Sequence, residues 1–572
     1  MRTGRADTIE TRYADPEGCR AAVRPRGAGR AGVERTMMSR PNGNRIKRAN
    51  VASETVDAAL PWKAKLGYAT FSLSYVMQTM IVTWQMFYFT TFLGVSMAVT
   101  AVLIAIGKIV ASVIGPVWGY ISDRMYRNAL GRRFGRRRSI LIFAIPANFV
   151  FYLLLWIPNL PLVVYFAANL LYWAFFAGIT TVQYGLPSEM TENPTQRAQL
   201  VGVNQIAGAI GGTFLSVLNV YLFTIWGKDN WESYFNMALL YGLLGTAVLM
   251  LGFLSIQERP FSESTNVSAA DAGADATSGE AGGVHIGFGR RLVSVVWNFL
   301  SVLKVKEFRN YLGLYLSEEM FRTVRGTLNT YFVIFVLLLD PQTVSLATGV
   351  NLLFGIACVG FFMWITAKIG GPRAYRLGGV EVIFVFLAMF VLAMTASHIP
   401  TGTRAVLYIG LGLFMNFGIT GVVNATQYTY TFIPDVDEII TSKRREGQYA
   451  AINSTIDDIF SSAETIVIGL VLEATGFVEG AQSQPPQTVF ALACLFSFVP
   501  IAICIVGIAF TFRLRLNREN HELLLAEIDR LRSGGAMEDV TPETRTLVES
   551  LTGMPYEHCW GHNNVIDVSH KG

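Results

Sequence analysis

The chain is short of charged side chains. Asp, Glu, Lys and Arg make up 15% of its 572 residues, whereas 52% are hydrophobic and 12% aromatic. Soluble globular proteins carry roughly 25% charged residues. This deficit, together with repeated long apolar runs, argues against a soluble protein and indicates one that crosses the membrane many times. The net charge of +5 does not indicate nucleic-acid binding, because the basic residues lie mostly in loops and tails.

Cysteine is also scarce, and its positions argue against a disulfide framework. Cys358, Cys494 and Cys504 lie in apolar runs, and Cys19 and Cys559 lie near the two ends of the chain. We interpret all five as free thiols.

Motifs of catalysis are missing from the apolar part of the chain. It contains no nucleophile–base pair, nucleotide-binding loop or metal-ligand spacing. His558, Cys559 and His562 near the C-terminus could ligate a metal, but three such residues in a tail are weak grounds for a site. We therefore predict a protein that is not an enzyme and holds no metal or cofactor.

Apolar runs of roughly 20 residues or more recur about twelve times and predict an all-α protein with about twelve transmembrane helices. The predicted spans are 65–91, 98–121, 138–158, 161–187, 197–225, 233–256, 308–338, 343–369, 374–397, 403–433, 447–473 and 487–512.

The basic residues in the connecting loops predict the orientation of these spans. The stretch 115–138 ends in a dense run of arginines, and the loops on its side of the membrane hold most of the other basic residues. On the other side only Lys228 and Arg404 appear, and four loops have no Lys or Arg. Basic loops stay in the cytoplasm, so both termini are predicted to be cytoplasmic.

Composition divides the chain into five parts. We predict a disordered cytoplasmic tail at 1–60, a six-helix bundle at 61–256, a cytoplasmic linker with an amphipathic segment at 257–307, a second six-helix bundle at 308–513 and a cytoplasmic tail at 514–572. Met37 or Met38 is an alternative translation start, because the arginine-rich segment before them adds nothing to a fold. In the C-terminal tail, Leu524, Ile528 and Leu531 share one face of a predicted helix, which packs on the protein's own surface or binds a partner.

Three motifs carry a family resemblance. The first is PVWGYISDR at 116–124, followed by GRRFGRRR at 131–138. The second is Glu189-Met190-Thr191 with Arg197 six residues later, and the third is PDVDE at 434–438 followed by KRREG at 443–447. In this order the motifs resemble the glycoside–pentoside–hexuronide:cation symporters, the melibiose-permease family of the major facilitator superfamily. The resemblance implies two six-helix bundles with a solute site between them, in a bacterial inner membrane.

The chain departs from that family at its usual ligand positions. The acidic residues that hold sugar and cation in melibiose-permease relatives correspond here to Val76, Ala111, Gly115 and Thr180. The family's arginine on the fifth helix corresponds to Gln205, and its lysine on the eleventh falls at or near Asp458, although Lys108 keeps a basic position on the second. The resemblance therefore implies transport but not sodium coupling through those carboxylates.

Charged residues inside two spans form polar stripes. In the seventh span, Glu318, Arg322, Arg325 and Asn329 recur at helical spacing, with Glu319 beside them. In the eleventh span, Asn453, Asp457, Ser461 and Glu464 share a face, with Asp458 adjacent.

Ionisable residues in a membrane are costly and are usually functional or paired. We predict that Asp457, Asp458, Glu464, Glu318, Glu319 and Lys108 couple transport to a cation, with a proton favoured over sodium. The alternative is a static pairing of Glu318 or Glu319 with Arg322 that stabilises the seventh helix.

Uncharged polar side chains in other spans suggest a lining for the solute. We predict that Gln78, Gln183, Gln205 and Gln427 contact it, and that Arg322 and Arg325 either contact it or clamp an anionic solute. The alternative for each glutamine is a hydrogen bond to a neighbouring helix.

Charges at the inner ends of the helices suggest a gate between the two halves. The predicted gate residues are Asp123, Arg124, Glu189, Arg197, Asp435, Asp437, Arg445 and Glu446. Exposed ion pairs contribute only about 0–1 kcal/mol each, which suits a gate that must open. The alternative is a set of topological anchors without pairing across the halves.

These features predict a cation-coupled symporter of a sugar, glycoside or similar small polar solute, working by alternating access as a monomer in the bilayer. A transporter of an organic anion or amphiphile is one alternative. A transporter-like membrane sensor that signals through its C-terminal tail is another.

Overall fold

A computed structural model describes residues 60–125, 128–135, 137–191, 194–255, 297, 300–443, 445–563 and 565. Within these ranges the regular elements are all helical. Nearly all of the predicted N-terminal tail and the predicted linker as far as residue 296 lie outside them.

Eight α-helices lie in the described part of the N-terminal half. They are α1 (Trp62–Leu73), α2 (Val76–Thr91), α3 (Met97–Arg124), the short α4 (Ala129–Phe134), α5 (Arg138–Leu154), α6 (Leu162–Met190), α7 (Pro194–Trp226) and α8 (Trp231–Ser255). Together α1 and α2 form the first predicted span, which is interrupted at Ser74 and Tyr75.

Among the described residues, seven α-helices follow in the C-terminal half, and two more lie beyond the last span. The seven are α9 (Lys306–Tyr331, extended by a π-helical turn at Phe332–Val336), α10 (Pro341–Ile369), α11 (Gly371–Thr395), α12 (Thr401–Tyr430), the short α13 (Ile433–Thr441), α14 (Glu446–Ala474) and α15 (Pro486–Thr511). The two are α16 (Arg518–Arg532) and α17 (Pro542–Thr552).

Each of the twelve predicted spans coincides with one of these helices or with the α1–α2 pair. Eight of them are long and apolar enough by themselves to cross a membrane. Of the other four, the first is split, the third is short, and the seventh and eleventh carry the charged stripes. The all-α, polytopic fold predicted from the apolar runs is confirmed.

Two ends of the bundle are distinguished by charge. The helix α3 finishes and α5 begins at the end that holds the arginines of 131–138, and we call this end the basic end. We call the opposite end the far end. The described hydrogen bonds between the halves lie toward the far end or at mid-helix. Ser462 Oγ of α14 donates to Ala105 O of α3 at 3.2 Å, and Thr330 Oγ1 of α9 donates to Thr83 O of α2 at 3.2 Å.

Close packing of α3 against α14 reinforces these bonds. A Cβ atom at Gly469 would lie 2.5 Å from the Ala101 Cβ, so glycine is needed for this approach. Near the end of α14, the Ala98 amide donates to Glu473 Oε2 at 2.8 Å. The two halves are thus joined along the far-end portions of α3 and α14.

Residues 517–565, which we call the tail module, fold onto the basic end of the C-terminal half. Leu524, Ile528 and Leu531 of α16 are buried in one apolar cluster with α13, α17 and the start of α9. The amides of Trp560 and Gly561 donate to carbonyls at the end of α13, at 2.7 and 2.9 Å. The predicted amphipathic helix is confirmed, and its apolar face packs on the protein itself.

Candidate functional site

The charged stripe of α9 is paired within the helix. Arg322 Nη1 lies 3.1 Å from Glu318 Oε1 and 2.8 Å from Glu319 Oε1. These residues are one helical turn apart, so a single guanidinium reaches both carboxylates. Glu318 is fully buried, whereas Arg322 and Glu319 keep part of their surface exposed.

The stripe of α14 faces a lysine from the other half. Lys108 of α3 interacts electrostatically with Asp457, Asp458 and Glu464. The Ser112 hydroxyl, one turn further along α3, donates a hydrogen bond to Asp458. Within the described part of the chain neither carboxylate oxygen of Glu464 has a hydrogen-bond partner, so Lys108 is its balancing charge. One cation of the N-terminal half therefore serves three carboxylates of the C-terminal half.

The two stripes also meet each other. Asp457 of α14 interacts electrostatically with Glu319 and Arg322 of α9 as well as with Lys108. We call the whole set the charge network: Lys108, Glu318, Glu319, Arg322, Asp457, Asp458 and Glu464. It contains every residue predicted to couple transport to a cation and spans the boundary between the halves.

Arg325 belongs to the same face of α9 but has a different environment. Its Nη1 lies 3.9 Å from the Met415 sulfur of α12, and its buried Nε has no hydrogen-bond partner in the described ranges. No carboxylate of those ranges pairs with it. One turn further on, Asn329 Oδ1 accepts a hydrogen bond from Tyr408 at 2.8 Å. Arg325 is therefore a partly buried cation whose charge remains available to a ligand.

The four predicted glutamines are not gathered in one place. Gln183 is buried and accepts hydrogen bonds from Tyr75 through its side chain and from Tyr68, at 3.1 Å, through its carbonyl. Gln78 lines a small cavity inside the N-terminal half, whereas Gln205 and Gln427 are exposed. Their contact with a solute stays a prediction.

Each described gate residue has a contact inside its own half. Arg445 Nε donates to Asp437 Oδ2 at 2.7 Å, Asp435 meets His521 of the tail module at 2.8 Å, and Arg197 donates to the Thr191 carbonyl at 2.9 Å. The side chains of Asp123, Arg124, Glu189 and Glu446 lie outside the described set. The gate between the halves stays a prediction.

Sequence reasoning missed one carboxylate in a spanning helix. Glu381 of α11 lies against the backbone of α12 at Gly418, and neither of its oxygens has a hydrogen-bond partner of good geometry in the described ranges. An isolated glutamate in the apolar run 377–394 was the available signal.

Metal binding has no geometric support in the described residues, which contain no cluster of three His, Cys, Asp or Glu placed to hold an ion. Cys559 is buried in the tail module. Burial and the nearby Glu549 raise the pKa of its thiol to about 12, so it is protonated and a poor metal ligand at neutral pH.

The chain is similar to known transport proteins. The profile of the family described as "MFS/sugar transport protein" matches residues 67–282 and 289–518. The chain is 24% identical over 455 residues to the isoprimeverose transporter of Lactiplantibacillus pentosus, covering 77% of this chain and 86% of that one. It is 21% identical over 454 residues to the putative glycoside/cation symporter YagG of Escherichia coli, covering 78% and 90%.

Solved structures agree on the fold. A bacterial homologue of the human lysosomal transporter Spinster superposes with a TM-score of 0.54 at 13% identity, over 80% of this chain and 97% of that one. The nucleoside transporter NupG gives 0.53 at 10% identity, over 79% and 99%. The chain therefore belongs to the MFS/sugar transport protein family, as a glycoside–pentoside–hexuronide:cation symporter-like member, and is an integral multi-pass membrane transporter rather than an enzyme.

Proposed function

We propose that the protein is a proton-coupled symporter of a sugar, glycoside or similar small polar solute, working by alternating access. The observation that carries this proposal is the charge network, in which Lys108 of one half faces three carboxylates of the other. The descriptions of two relatives, an isoprimeverose transporter and a putative glycoside/cation symporter, support the solute class.

The position of the network suggests how movement and protonation are linked. Lys108 and the carboxylates lie where α3 and α14 pack together, next to the far-end contacts of Ala105 with Ser462. When the halves part at the far end, Lys108 moves away from Asp457, Asp458 and Glu464. The proton affinity of a buried carboxyl depends on nearby charges and on water, so this separation changes the affinity. A proton bound in one state is then released in the other.

Lysine in the network also favours a proton over sodium as the coupling ion. An ammonium group among three carboxylates competes with sodium for the same oxygens. A proton binds a single carboxyl and needs no shell of several ligands. Proton relays in membrane transporters are built from such buried acidic chains.

The basic end is proposed to face the cytoplasm of a bacterium, with the protein in the inner membrane and both termini inside. The loops at this end carry the arginines of 131–138 as well as Lys368, Arg373 and Arg376. Positively charged loops remain on the cytoplasmic side during insertion. Labelling of cysteines introduced at Lys63 and Asp340 with an impermeant reagent tests this: in intact cells only the Asp340 position should react.

Purified protein in liposomes tests the proton coupling. A pH gradient is imposed, sugars, glycosides and organic acids are supplied in turn, and internal pH and solute uptake are recorded. Wild type is compared with Asp457→Asn/Asp458→Asn and with a control, Glu522→Gln/Asp529→Asn, which removes two exposed carboxylates from the tail module.

Solute-dependent proton movement in wild type and control, but not in Asp457→Asn/Asp458→Asn, supports symport through α14. Solute uptake without proton movement, unchanged in the variant, contradicts proton coupling. Sodium coupling or facilitated diffusion would then take its place.

Arg325 favours a second candidate, an organic-anion transporter. Its partly buried guanidinium lacks a carboxylate partner in the described ranges, and guanidinium groups bind carboxylates in bidentate fashion. Uptake of a sugar acid should then exceed uptake of the neutral sugar with the same ring, and Arg325→Gln should remove the difference. Equal uptake of both in wild type would contradict this candidate.

A further inference from the structure

A groove opens at the basic end of the C-terminal half, away from the charge network. Its walls are the α10–α11 turn, the end of α15, and the α16 and α17 helices of the tail module, and its volume is about 960 Å³. We call it the basic groove. None of the charge-network residues lines it.

Positive charge dominates the basic groove. Five cationic side chains line it, against two acidic ones, Glu519 and Glu543; the cations are Lys368, Arg373, Arg376, Arg515 and Arg518. In the described part of the chain, Arg518 pairs with Glu522, whereas the other four form no ion pair. Cations held together without counter-charges repel one another, and an anion that enters the groove removes this repulsion.

The position of the groove matches the boundary between membrane and water. It lies where two spanning helices end, α10 at Ile369 and α15 at Thr511. Two exposed aromatic residues flank it, and a cationic side chain lies over each ring. Arg376 lies 4.5 Å from the Phe512 ring, and Lys368 lies 5.4 Å from the Trp364 ring. Exposed aromatic residues beside snorkelling cations are typical of the headgroup level of a bilayer.

An apolar stripe leads from the groove into the membrane. Arg373, Leu377, Val380 and Phe384 recur at helical spacing on α11, and the last three line a shallow apolar slot of about 420 Å³ between α11 and α12. From Arg373 to Phe384 the helix rises about 16 Å at 1.5 Å per residue. One leaflet of the hydrocarbon core is about 15 Å thick. The stripe is therefore as long as the path of one acyl chain.

We propose that the basic groove binds the phosphate headgroup of an anionic phospholipid, with an acyl chain along Leu377, Val380 and Phe384. Basic sites beside spanning helices, at the end that carries the basic loops, bind such headgroups. Glu381, the one acidic residue lining the slot, is turned toward Gly418 of α12 and leaves the lipid-facing wall apolar. A soluble phosphate compound would use the same cations, but the apolar stripe would then have no role.

The site also has a structural consequence. The groove has one wall on the spanning helices and another on α16 and α17, so a bound headgroup contacts both. A lipid in this position joins the tail module to the membrane domain.

Binding is measured by native mass spectrometry of the purified full-length protein in detergent, titrated with phosphatidylglycerol, phosphatidylcholine or glycerol phosphate. Arg373→Gln/Arg515→Gln removes two cations of the groove. Lys63→Gln/Lys443→Gln is the matched control, because it removes two exposed cations at the same end of the molecule but outside the groove. Val380→Phe fills the apolar slot at an exposed position.

We expect phosphatidylglycerol to bind at least tenfold more tightly than phosphatidylcholine. Arg373→Gln/Arg515→Gln should weaken that binding about tenfold, and the control should change it less than twofold. Val380→Phe should weaken phosphatidylglycerol binding without affecting glycerol phosphate.

Equal binding of the two lipids, or equal losses in the groove variant and its control, would overturn the proposal. So would glycerol phosphate binding as tightly as phosphatidylglycerol with no effect of Val380→Phe, because the ligand would then be a soluble phosphate. Val380→Phe leaves the cations in place and decides between these outcomes even if the double arginine variant fails to fold.

Discussion

Arg445 and Asp437 form a buried, two-pronged ion pair across the turn that joins α13 to α14. Arg445 Nε donates to Asp437 Oδ2 at 2.7 Å, and its Nη2 bonds the other carboxylate oxygen. Arg445 Nη1 also donates to Ser301 Oγ at 2.8 Å, which ties the segment leading into α9 to the same point. Both charged groups are largely removed from water, so the pair fixes the basic end of three elements of the C-terminal half.

Loss of one partner of this pair should destabilise the protein strongly. Arg445→Gln leaves the Asp437 carboxylate buried without its cation, and the free energy of unfolding should fall by on the order of 3 kcal/mol. The double variant Arg445→Gln/Asp437→Asn should recover part of the loss, because no charge remains buried there. Unfolding of the purified protein in mixed detergent micelles measures both, and a double variant less stable than the single one would contradict the explanation.

Gly469 should control whether the halves stay joined at the far end. A valine at this position would clash with Ala101, so Gly469→Val should push α14 away from α3. Ser462→Cys, buried at that contact in a background without other cysteines, should then react faster with N-ethylmaleimide. Gly360→Val in α10 is the control, because a Cβ there meets nothing within 4 Å. Unchanged labelling in Gly469→Val would show that the contact is not close.

Cys559 should report whether the tail module is docked. Its thiol is buried and its pKa is raised to about 12, so a maleimide at pH 7 should leave it unmodified in the folded protein. Arg532→Ala removes the ion pair between α16 and Glu438 of α13, and His521→Ala removes the contact with Asp435. In the double variant, Cys559 should react with the maleimide several-fold faster than in wild type. Rapid labelling of Cys559 in wild type would contradict a docked tail module.

Acid should loosen the tail module through Glu527. Burial acts to raise the pKa of this carboxyl, but hydrogen bonds from Arg530 and Tyr556 outweigh burial and lower it. A carboxyl with a lowered folded-state pKa stabilises the fold above its unfolded-state pKa, about 4.3, and loses that effect as pH falls through the folded-state pKa.

Glu527→Gln should accordingly cost about 1–2 kcal/mol at pH 6, and this cost should shrink as the pH falls below about 4.3 and through the folded-state pKa of Glu527. The cost is measured in the intact chain, by following hydrogen exchange of the tail module at each pH in wild type and in Glu527→Gln. An effect of Glu527→Gln that stays constant as the pH is lowered through this range would contradict the role of the ionised carboxyl.

The spanning helices could be predicted because each depends on local composition. An apolar run of 20 residues forms a helix in a membrane whatever its neighbours are, so all twelve spans were located within a few residues. The charged stripes on α9 and α14 were also predictable, because helical spacing alone puts Glu318 and Arg322, or Asp457 and Glu464, on one face. The stripes were expected to meet Lys108 because, in the two-bundle fold that the family resemblance implies, charged faces of spanning helices turn toward the space between the halves.

Partner choice could not be read from the same patterns. Asp435, Asp437 and Arg445 were predicted as gate residues from their charge and position; in the structure Asp437 meets Arg445 eight residues away, and Asp435 meets His521 of the tail module. These partners are brought together by the α13–α14 turn and by docking of α16, which are tertiary events without a periodic signal. The amphipathic pattern of α16 predicted the helix but not the surface that receives it.

The docked tail module has a practical consequence for imaging the molecule. A transporter of twelve spanning helices lies almost entirely inside its detergent micelle, and its two similar halves are difficult to distinguish in projection. Here α16 and α17 stand as an ordered, asymmetric protrusion fixed to one half by buried side chains. That protrusion gives single-particle images a landmark for alignment, without an added antibody fragment.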